Sequence, residues 1–187
     1  MPYSRGTLYL VVGPSGAGKD SLIDGAKAAM AGKGNCIFPR RYITRPAEAG
    51  GEDHIPVSQD MFLNLLERGE MLLDWHAHNL RYGVPQAVEK HLRQGRNVVV
   101  NVSRTVVDQA RAELSPVEIL YITVSDDVLA QRLRDRGRES KRDIAKRITR
   151  AREYVIEGDD VHIIDNGGTL NDGITSFLQA IGRPDVA

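Results

Sequence analysis

The sequence of 187 residues contains one cysteine, Cys36, and carries no formal net charge, since Lys+Arg and Asp+Glu each number 25. A lone cysteine excludes an internal disulfide framework and a zinc site built on paired thiolates. Cys36 reads instead as a small buried residue. Zero net charge speaks against a general nucleic-acid binder, which carries a basic excess, although a local basic cleft stays open. No apolar run approaches the roughly 18–20 residues that span a bilayer. The stretch Thr7–Val12 is too short for the apolar part of a signal peptide. A soluble cytoplasmic protein with no nucleic-acid or membrane partner is therefore expected. Internal repeats and low-complexity tracts are also missing. With 41% hydrophobic and 27% charged residues the chain has an ordinary globular composition and the length for one core. A single domain over 1–187 is expected.

Short β-branched runs alternate with helical stretches. Leu8–Val12, Asn97–Val102, Ile119–Val124 and His162–Ile164 are nearly continuous in apolar residues, as buried strands are. Between and after them the pattern predicts helices over Lys19–Met30, Pro85–Gln94, Thr105–Leu114, Asp126–Arg136, Ser140–Glu157 and a last one begun by Thr169. Pro85 is placed at a first helical position. Ser125 is the N-cap of Asp126–Arg136, and Gly137 ends it. Ser140 with Asp143 is a weaker relative of the capping box. Alternating strands and helices predict an α/β fold, a parallel sheet covered by helices on both faces. The stretch from about 36 to 84 breaks the rhythm with Ala49-Gly50-Gly51, one helix at Gln59–Arg68 and the run Trp75-His76-Ala77-His78. It reads as an inserted subdomain.

Gly13-Pro14-Ser15-Gly16-Ala17-Gly18-Lys19-Asp20 follows the first strand and opens the first helix. This is G-x-x-x-x-G-K in the setting that the motif requires. Glycines let backbone N–H groups converge on phosphate oxygens, the helix N-terminus adds positive potential, and Lys19 reaches the outer phosphates. The next position normally holds Ser or Thr for Mg²⁺, but here it is Asp20, with Ser21 after it. The Asp20 carboxylate is either the Mg²⁺ ligand or a charge favoured at a helix start.

Over nearly its whole length the chain resembles the guanylate-kinase-like branch of the P-loop kinases. Gly13–Asp20, Tyr42-Ile43-Thr44-Arg45-Pro46, Tyr82-Gly83, Arg132–Gly137, Arg147 and Asp165-Asn166 carry the resemblance. It departs where guanylate kinases read the base. His76 and Val84 stand in place of the acid and the hydroxyl, Ala47-Glu48-Ala49 replaces a second phosphate-binding arginine, and Asn101 replaces an acid. Loss of paired donors and acceptors weakens base discrimination by orders of magnitude. The stretches 18–22, Arg41–Arg45, Glu52-Asp53-His54-Ile55, Trp75-His76-Ala77, Tyr82-Gly83-Val84 and Val100–Arg104 resemble the ribose 1,5-bisphosphate phosphokinases, the phosphonate-pathway members of this branch. That resemblance implies ATP and Mg²⁺ as cofactors, a short lid at about 134–142, and conversion of ribose 1,5-bisphosphate to 5-phospho-α-D-ribose 1-diphosphate.

The residues suit that chemistry. A phosphate acceptor is already ionised at neutral pH, so no general base is needed and catalysis is positioning plus charge neutralisation. Arg132 and Arg136 share a helix face, and Arg147 follows on the next helix. They are either lid charges for the transferring phosphoryl group or a solvated face paired with Asp127, Asp135 and Glu139. Arg41, Arg45, Arg81 and Arg104 are candidates for the two phosphates of the sugar, since guanidinium grips phosphate in bidentate fashion. Arg45 and Arg104 fall within family-like motifs. Tyr82 either donates to the acceptor or packs beside Gly83. His76 and His78, two apart, would share a strand face, as a zinc pair or as packing and pocket lining, with Trp75 turned to the core. Asn101 joins the acceptor group, and Asn166 matches the family position near adenine or is a plain turn residue. Two other readings remain: a nucleoside monophosphate kinase of unusual specificity, and a non-catalytic guanylate-kinase-like module.

Overall fold

The structure, a computed structural model, describes residues 4–32, 35–49, 52–137 and 140–182. The strands in chain order are β1 (Leu8–Val12), β2 (Cys36–Ile37), β3 (Tyr42–Ile43), β4 (Ile55–Pro56), β5 (Met71–Ala77), β6 (Leu80–Pro85), β7 (Asn97–Asn101), β8 (Val117–Thr123) and β9 (Val161–Asp165). The helices are α1 (Lys19–Ala29), α2 (Gln59–Glu67), α3 (Val88–Arg93), α4 (Val107–Glu113), α5 (Asp126–Arg136), α6 (Lys141–Glu153) and α7 (Leu170–Ile181). One sheet has the order β2-β7-β1-β8-β9, and a second has the order β4-β3-β6-β5. Pairs β2–β7 and β8–β9 are parallel, as the α/β reading requires. All five residues of β1 are buried, which is why its sequence is unbroken in apolar side chains.

The caps hold where they were expected. Ser125 accepts from the Val128 N–H, and Gly137 closes α5 at φ 66°. Ser140 and Asp143 form a complete reciprocal capping box on α6, stronger than the sequence pattern alone suggests. Three helix boundaries differ by more than one residue. Pro85 is not a first helical residue; it ends β6 opposite Met71, and α3 begins at Val88. A residue without an N–H is tolerated at a strand end. Helix α6 stops at Glu153 rather than 157, where Tyr154 leaves helical geometry and its carbonyl accepts from the Tyr121 hydroxyl at 3.1 Å. The stretch from 105 to 114 starts as a 3-10 turn, Arg104–Val106, capped by Ser103, before α4. The insert is largely a four-stranded sheet, whose two-residue strands are too short to show alternation. Gly50 and Gly51, and Arg138 and Glu139 within the expected lid, lie outside the described residues.

The chain divides into two compact units, one of Met1–Tyr9 with Gly32–Val117 and one of Leu10–Ala31 with Glu118–Ala187. In the first, Ile43, Phe62, Leu73, Val84 and Leu92 are buried, and in the second Leu22, Ile122, Leu129 and Phe177 are. Among the described residues no helix is long and apolar enough to cross a membrane.

Candidate active site

In the second unit the segment Gly13–Gly18 joins β1 to α1. Gly13 takes φ 143° and Gly18 φ 89°. A Cβ on Gly13 would lie 2.3 Å from the Ile122 carbonyl oxygen, and one on Gly18 would lie 2.5 Å from Asn166 Nδ2. Both positions thus need glycine for conformation and for space. With Gly16 also at positive φ, the loop has the backbone form that turns N–H groups toward a bound anion. Lys19 is the first residue of α1, and its Nζ donates to the carbonyls of Gly13 and Pro14 at 2.9 and 3.0 Å. The ammonium therefore lies folded over the loop. Pro14 is half-buried and Ser15 exposed in the loop, and Asp20 and Ser21 are exposed in the first turn of α1. Among the described residues no three His, Cys, Asp or Glu side chains converge as a metal cluster. An Mg²⁺ at Asp20 would complete its shell with phosphate oxygens and water, which suits that ion.

The loop is braced from behind. Ala17 is fully buried, and its carbonyl accepts from Asn166 Nδ2 at 2.7 Å and Arg132 Nη1 at 3.2 Å. Arg132 Nη2 donates to the Asn166 carbonyl at 2.7 Å. Asn166 is 3% exposed, so its amide supports the loop from beneath. Arg132, half-buried on α5, is held at the loop by these same bonds. Arg136 is exposed in the last turn of α5, and Arg147 is half-buried on α6, which packs Ile144 against Leu129 and Leu133.

In the first unit the small sheet sorts the acceptor candidates. Trp75 pairs with Tyr82, and His76 with Arg81, across β5 and β6. Opposed residues share a face, so Trp75 and Tyr82 lie on one side and His76 and Arg81 on the other. Trp75 and Tyr82 stack with ring centroids 5.4 Å apart and planes 3° from parallel. The Arg41 guanidinium lies 5.5 Å from the Trp75 centroid and 5.4 Å from that of Tyr82. Arg41 is 6% exposed and ion-paired with Glu52 Oε2, so it acts first as the lid of this stack. Arg45 keeps more freedom. Its Nη2 is 4.0 Å from Glu52 Oε1 and 3.5 Å from His54 Nδ1, and its buried Nε has no hydrogen-bond partner among the described residues. A buried donor left unpaired costs on the order of 1–3 kcal/mol, which an anionic ligand would offset. Burial raises the Tyr82 pKa against the opposing pull of Arg41 and Arg45.

His78 sits in the turn after β5 at φ 52°, so it does not share the strand face of His76, and the zinc pairing is set aside. His76 is exposed, while Trp75 is buried as expected. Asn101 ends β7 and Arg104 opens the 3-10 turn beyond it, both half-buried. Sequence reasoning assigned no role to Glu52 or His54, although their motif was visible. Glu52 contacts both Arg41 and Arg45, and His54 reaches the Glu52 carbonyl at 2.9 Å and the Arg45 carbonyl at 3.0 Å through its two ring nitrogens.

A family model described as guanylate kinase matches residues 5–181. Ribose 1,5-bisphosphate phosphokinase PhnN of Agrobacterium fabrum is 41% identical over 174 residues, 93% of this chain and 95% of that protein. The protein of the same name from Thiobacillus denitrificans is 37% identical over 98% of this chain and 97% of its own length. The bifunctional ribose 1,5-bisphosphokinase-thymidine phosphorylase of Cupriavidus pinatubonensis is 44% identical over 94% of this chain, which spans only 29% of that longer protein. Among solved structures, guanylate kinase from Anaplasma phagocytophilum aligns with TM-score 0.67 at 19% identity, over 97% of this chain and 87% of that one. A gluconokinase from Sinorhizobium meliloti aligns with TM-score 0.52 at 15% identity, over 98% and 94%. These two likenesses concern the fold alone.

Proposed function

The chain belongs to the guanylate kinase family, and on that footing we propose that it transfers the γ-phosphoryl group of ATP to ribose 1,5-bisphosphate, giving 5-phospho-α-D-ribose 1-diphosphate and ADP in phosphonate breakdown. The observation that carries the kinase half is the Gly13–Lys19 loop, with its positive-φ glycines and Lys19 at the start of α1. The acceptor half is supported by relatives of that name matched over 93% and 98% of this chain, and by the Nε of Arg45, which has no hydrogen-bond partner among the described residues. The scheme takes 36–84 as the acceptor-binding insert and 134–142 as the lid of one kinase domain that works in the cytoplasm.

In this scheme the loop N–H groups and Lys19 hold the β- and γ-phosphates, and Lys19 exchanges its carbonyl partners for phosphate oxygens. Asp20, with Ser21, would hold Mg²⁺, which supplies charge neutralisation at the phosphates when bound. An oxygen of the sugar's 1-phosphate forms the new bond to the γ-phosphorus as the β–γ bridging P–O bond breaks. No proton has to be removed from the acceptor. Arg136 and Arg147 neutralise the transferring group, while Arg132 and Asn166 keep the loop in shape. Arg45, Arg81 and Arg104 hold the sugar phosphates, Tyr82 donates its hydroxyl, and His76 and Asn101 line the acceptor side. Arg41 supports that side from its place against the aromatic stack.

The test is an ATP- and Mg²⁺-dependent assay with purified protein, comparing ribose 1,5-bisphosphate with GMP. Without the base-reading acid and hydroxyl, kcat/KM should favour the bisphosphate by on the order of 10³-fold. Efficient phosphorylation of GMP, or indifference to the bisphosphate, would restore the nucleotide-kinase reading.

A further inference from the structure

A site that collects anions is a poor place for a carboxylate, because each negative charge weakens the pull on phosphate. Glu52 nevertheless stands between two arginines of the acceptor side. Its Oε2 is taken by Arg41, which the Trp75–Tyr82 stack holds in place. Its Oε1 is 4.0 Å from Arg45 Nη2, beyond hydrogen-bond reach, and accepts no hydrogen bond from the described residues. The Glu52 side chain is 22% exposed, so solvent reaches it. The spacing of the two residues is held by His54, a 7% exposed ring whose nitrogens lie 2.9 Å from the Glu52 carbonyl and 3.0 Å from that of Arg45. One short stretch thus presents a guanidinium whose Nε has no hydrogen-bond partner among the described residues beside a carboxylate oxygen that accepts none from them, both held by a buried scaffold. Inorganic phosphate or a bare polyphosphate would use only the donor. A phosphate carried on a hydroxylated ring would use both, and carboxylate oxygens are ready acceptors for ribose hydroxyls.

We propose that Glu52 is a specificity-determining residue of the acceptor side: Arg45 takes a phosphate, and Glu52 Oε1 accepts a hydrogen bond from a hydroxyl of the sugar that bears it. This rests on the reading of the acceptor as a phosphorylated ribose. It makes the carboxylate a selector for hydroxylated sugar phosphates over their deoxy counterparts, at some expense in affinity for anions generally.

The experiment titrates the full chain, without ATP, with ribose 5-phosphate and its 2-deoxy and 3-deoxy analogues. Binding is followed by calorimetry and by the fluorescence of Trp75, the one tryptophan, which lies in the stack that holds Arg41. A charged hydrogen bond lost in a site built for it should weaken at least one deoxy analogue by roughly 10- to 100-fold in the parent protein. Glu52→Gln, which keeps a partner for Arg41, should shrink that ratio to within about threefold. Should Glu52→Gln melt well below the parent, Glu52→Asp, which draws the carboxylate back, serves the same purpose. No discrimination by the parent, or an unchanged ratio in a well-folded variant, overturns the proposal. Equal weakening of all three sugars also overturns it, because Glu52 would then act only by placing Arg45. Turnover of ribose 1,5-bisphosphate is measured in parallel. Transfer without a Glu52-dependent ratio sinks this proposal alone. A Glu52-dependent ratio without transfer sinks the kinase acceptor reading and leaves the hydroxyl recognition standing.

Discussion

Lys19 and Arg41 are both cations to which the proposed reaction gives a place beside phosphate, yet they differ in what surrounds them. The Lys19 ammonium rests on two loop carbonyls at the surface end of a helix. Its removal leaves no core cavity, so Lys19→Ala should abolish phosphoryl transfer with a melting temperature close to that of the parent. Wild-type turnover by that variant would end the phosphate-loop assignment. Arg41 is 6% exposed and joined to Glu52 and two rings. Removing one partner of such a pair strands a charge, so Arg41→Ala should cost on the order of 3 kcal/mol of stability. Arg45→Ala should cost clearly less stability than Arg41→Ala, since Arg45 loses only a 4.0 Å ion pair with Glu52 and a 3.5 Å contact with His54, and it should raise KM for the acceptor. Denaturant unfolding and steady-state kinetics of the two variants would separate these roles, and the reverse pattern would exchange them.

At the level of elements, α3 is tied to the segment before β1 by a two-bond ion pair, Arg5 Nη1 and Nη2 to Glu89 Oε1 and Oε2 at 2.7 and 2.6 Å. The hydrogen bonds from Arg5 hold the Glu89 carboxyl down at about 2 from an ordinary 4.5. A depressed carboxyl contributes stability above its unfolded pKa and loses it as the pH falls toward the folded one. That loss is therefore expected between 4.5 and about 2. Glu89→Gln should flatten the acid limb of stability in that window while lowering stability at neutral pH, as denaturation at a series of pH values would show. The end of α5 sets a different expectation. Arg136 is exposed at the end of α5 next to the left-handed Gly137. If it meets the phosphoryl group only as the reaction proceeds, Arg136→Ala should lower kcat by roughly 10³-fold and hardly change ATP binding. Normal kcat with a raised KM for ATP would assign it to ground-state binding.

For the whole molecule, 25 basic residues balance 25 acidic ones. Without net charge to keep copies apart, solubility should be lowest near neutral pH and rise on either side, which light scattering across pH would record. The same balance hides the proposed acceptor side, because the cluster of Arg41, Arg45 and Arg81 is local. The phosphate loop was legible in the sequence because strand, glycines, lysine and helix are contiguous, so local geometry alone dictates the structure. The caps at Ser125, Ser140 and Thr169 were legible for the same reason: each bonds a backbone N–H within its own first turn. In the small sheet β3 and β4 were not, since two-residue strands show no period. Nor could the sequence tell which arginines face a ligand. Arg132 meets Ala17 across 115 positions and Asn166 meets it across 149, and both become braces of the loop only when the chain has folded. The division of labour between Arg41 and Arg45, four residues apart, is decided by Trp75, Tyr82 and Glu52, which the tertiary structure brings to one of them and only partly to the other. Chemistry that is local in sequence is determined by sequence, whereas burial and partnership are long-range properties that only packing assigns.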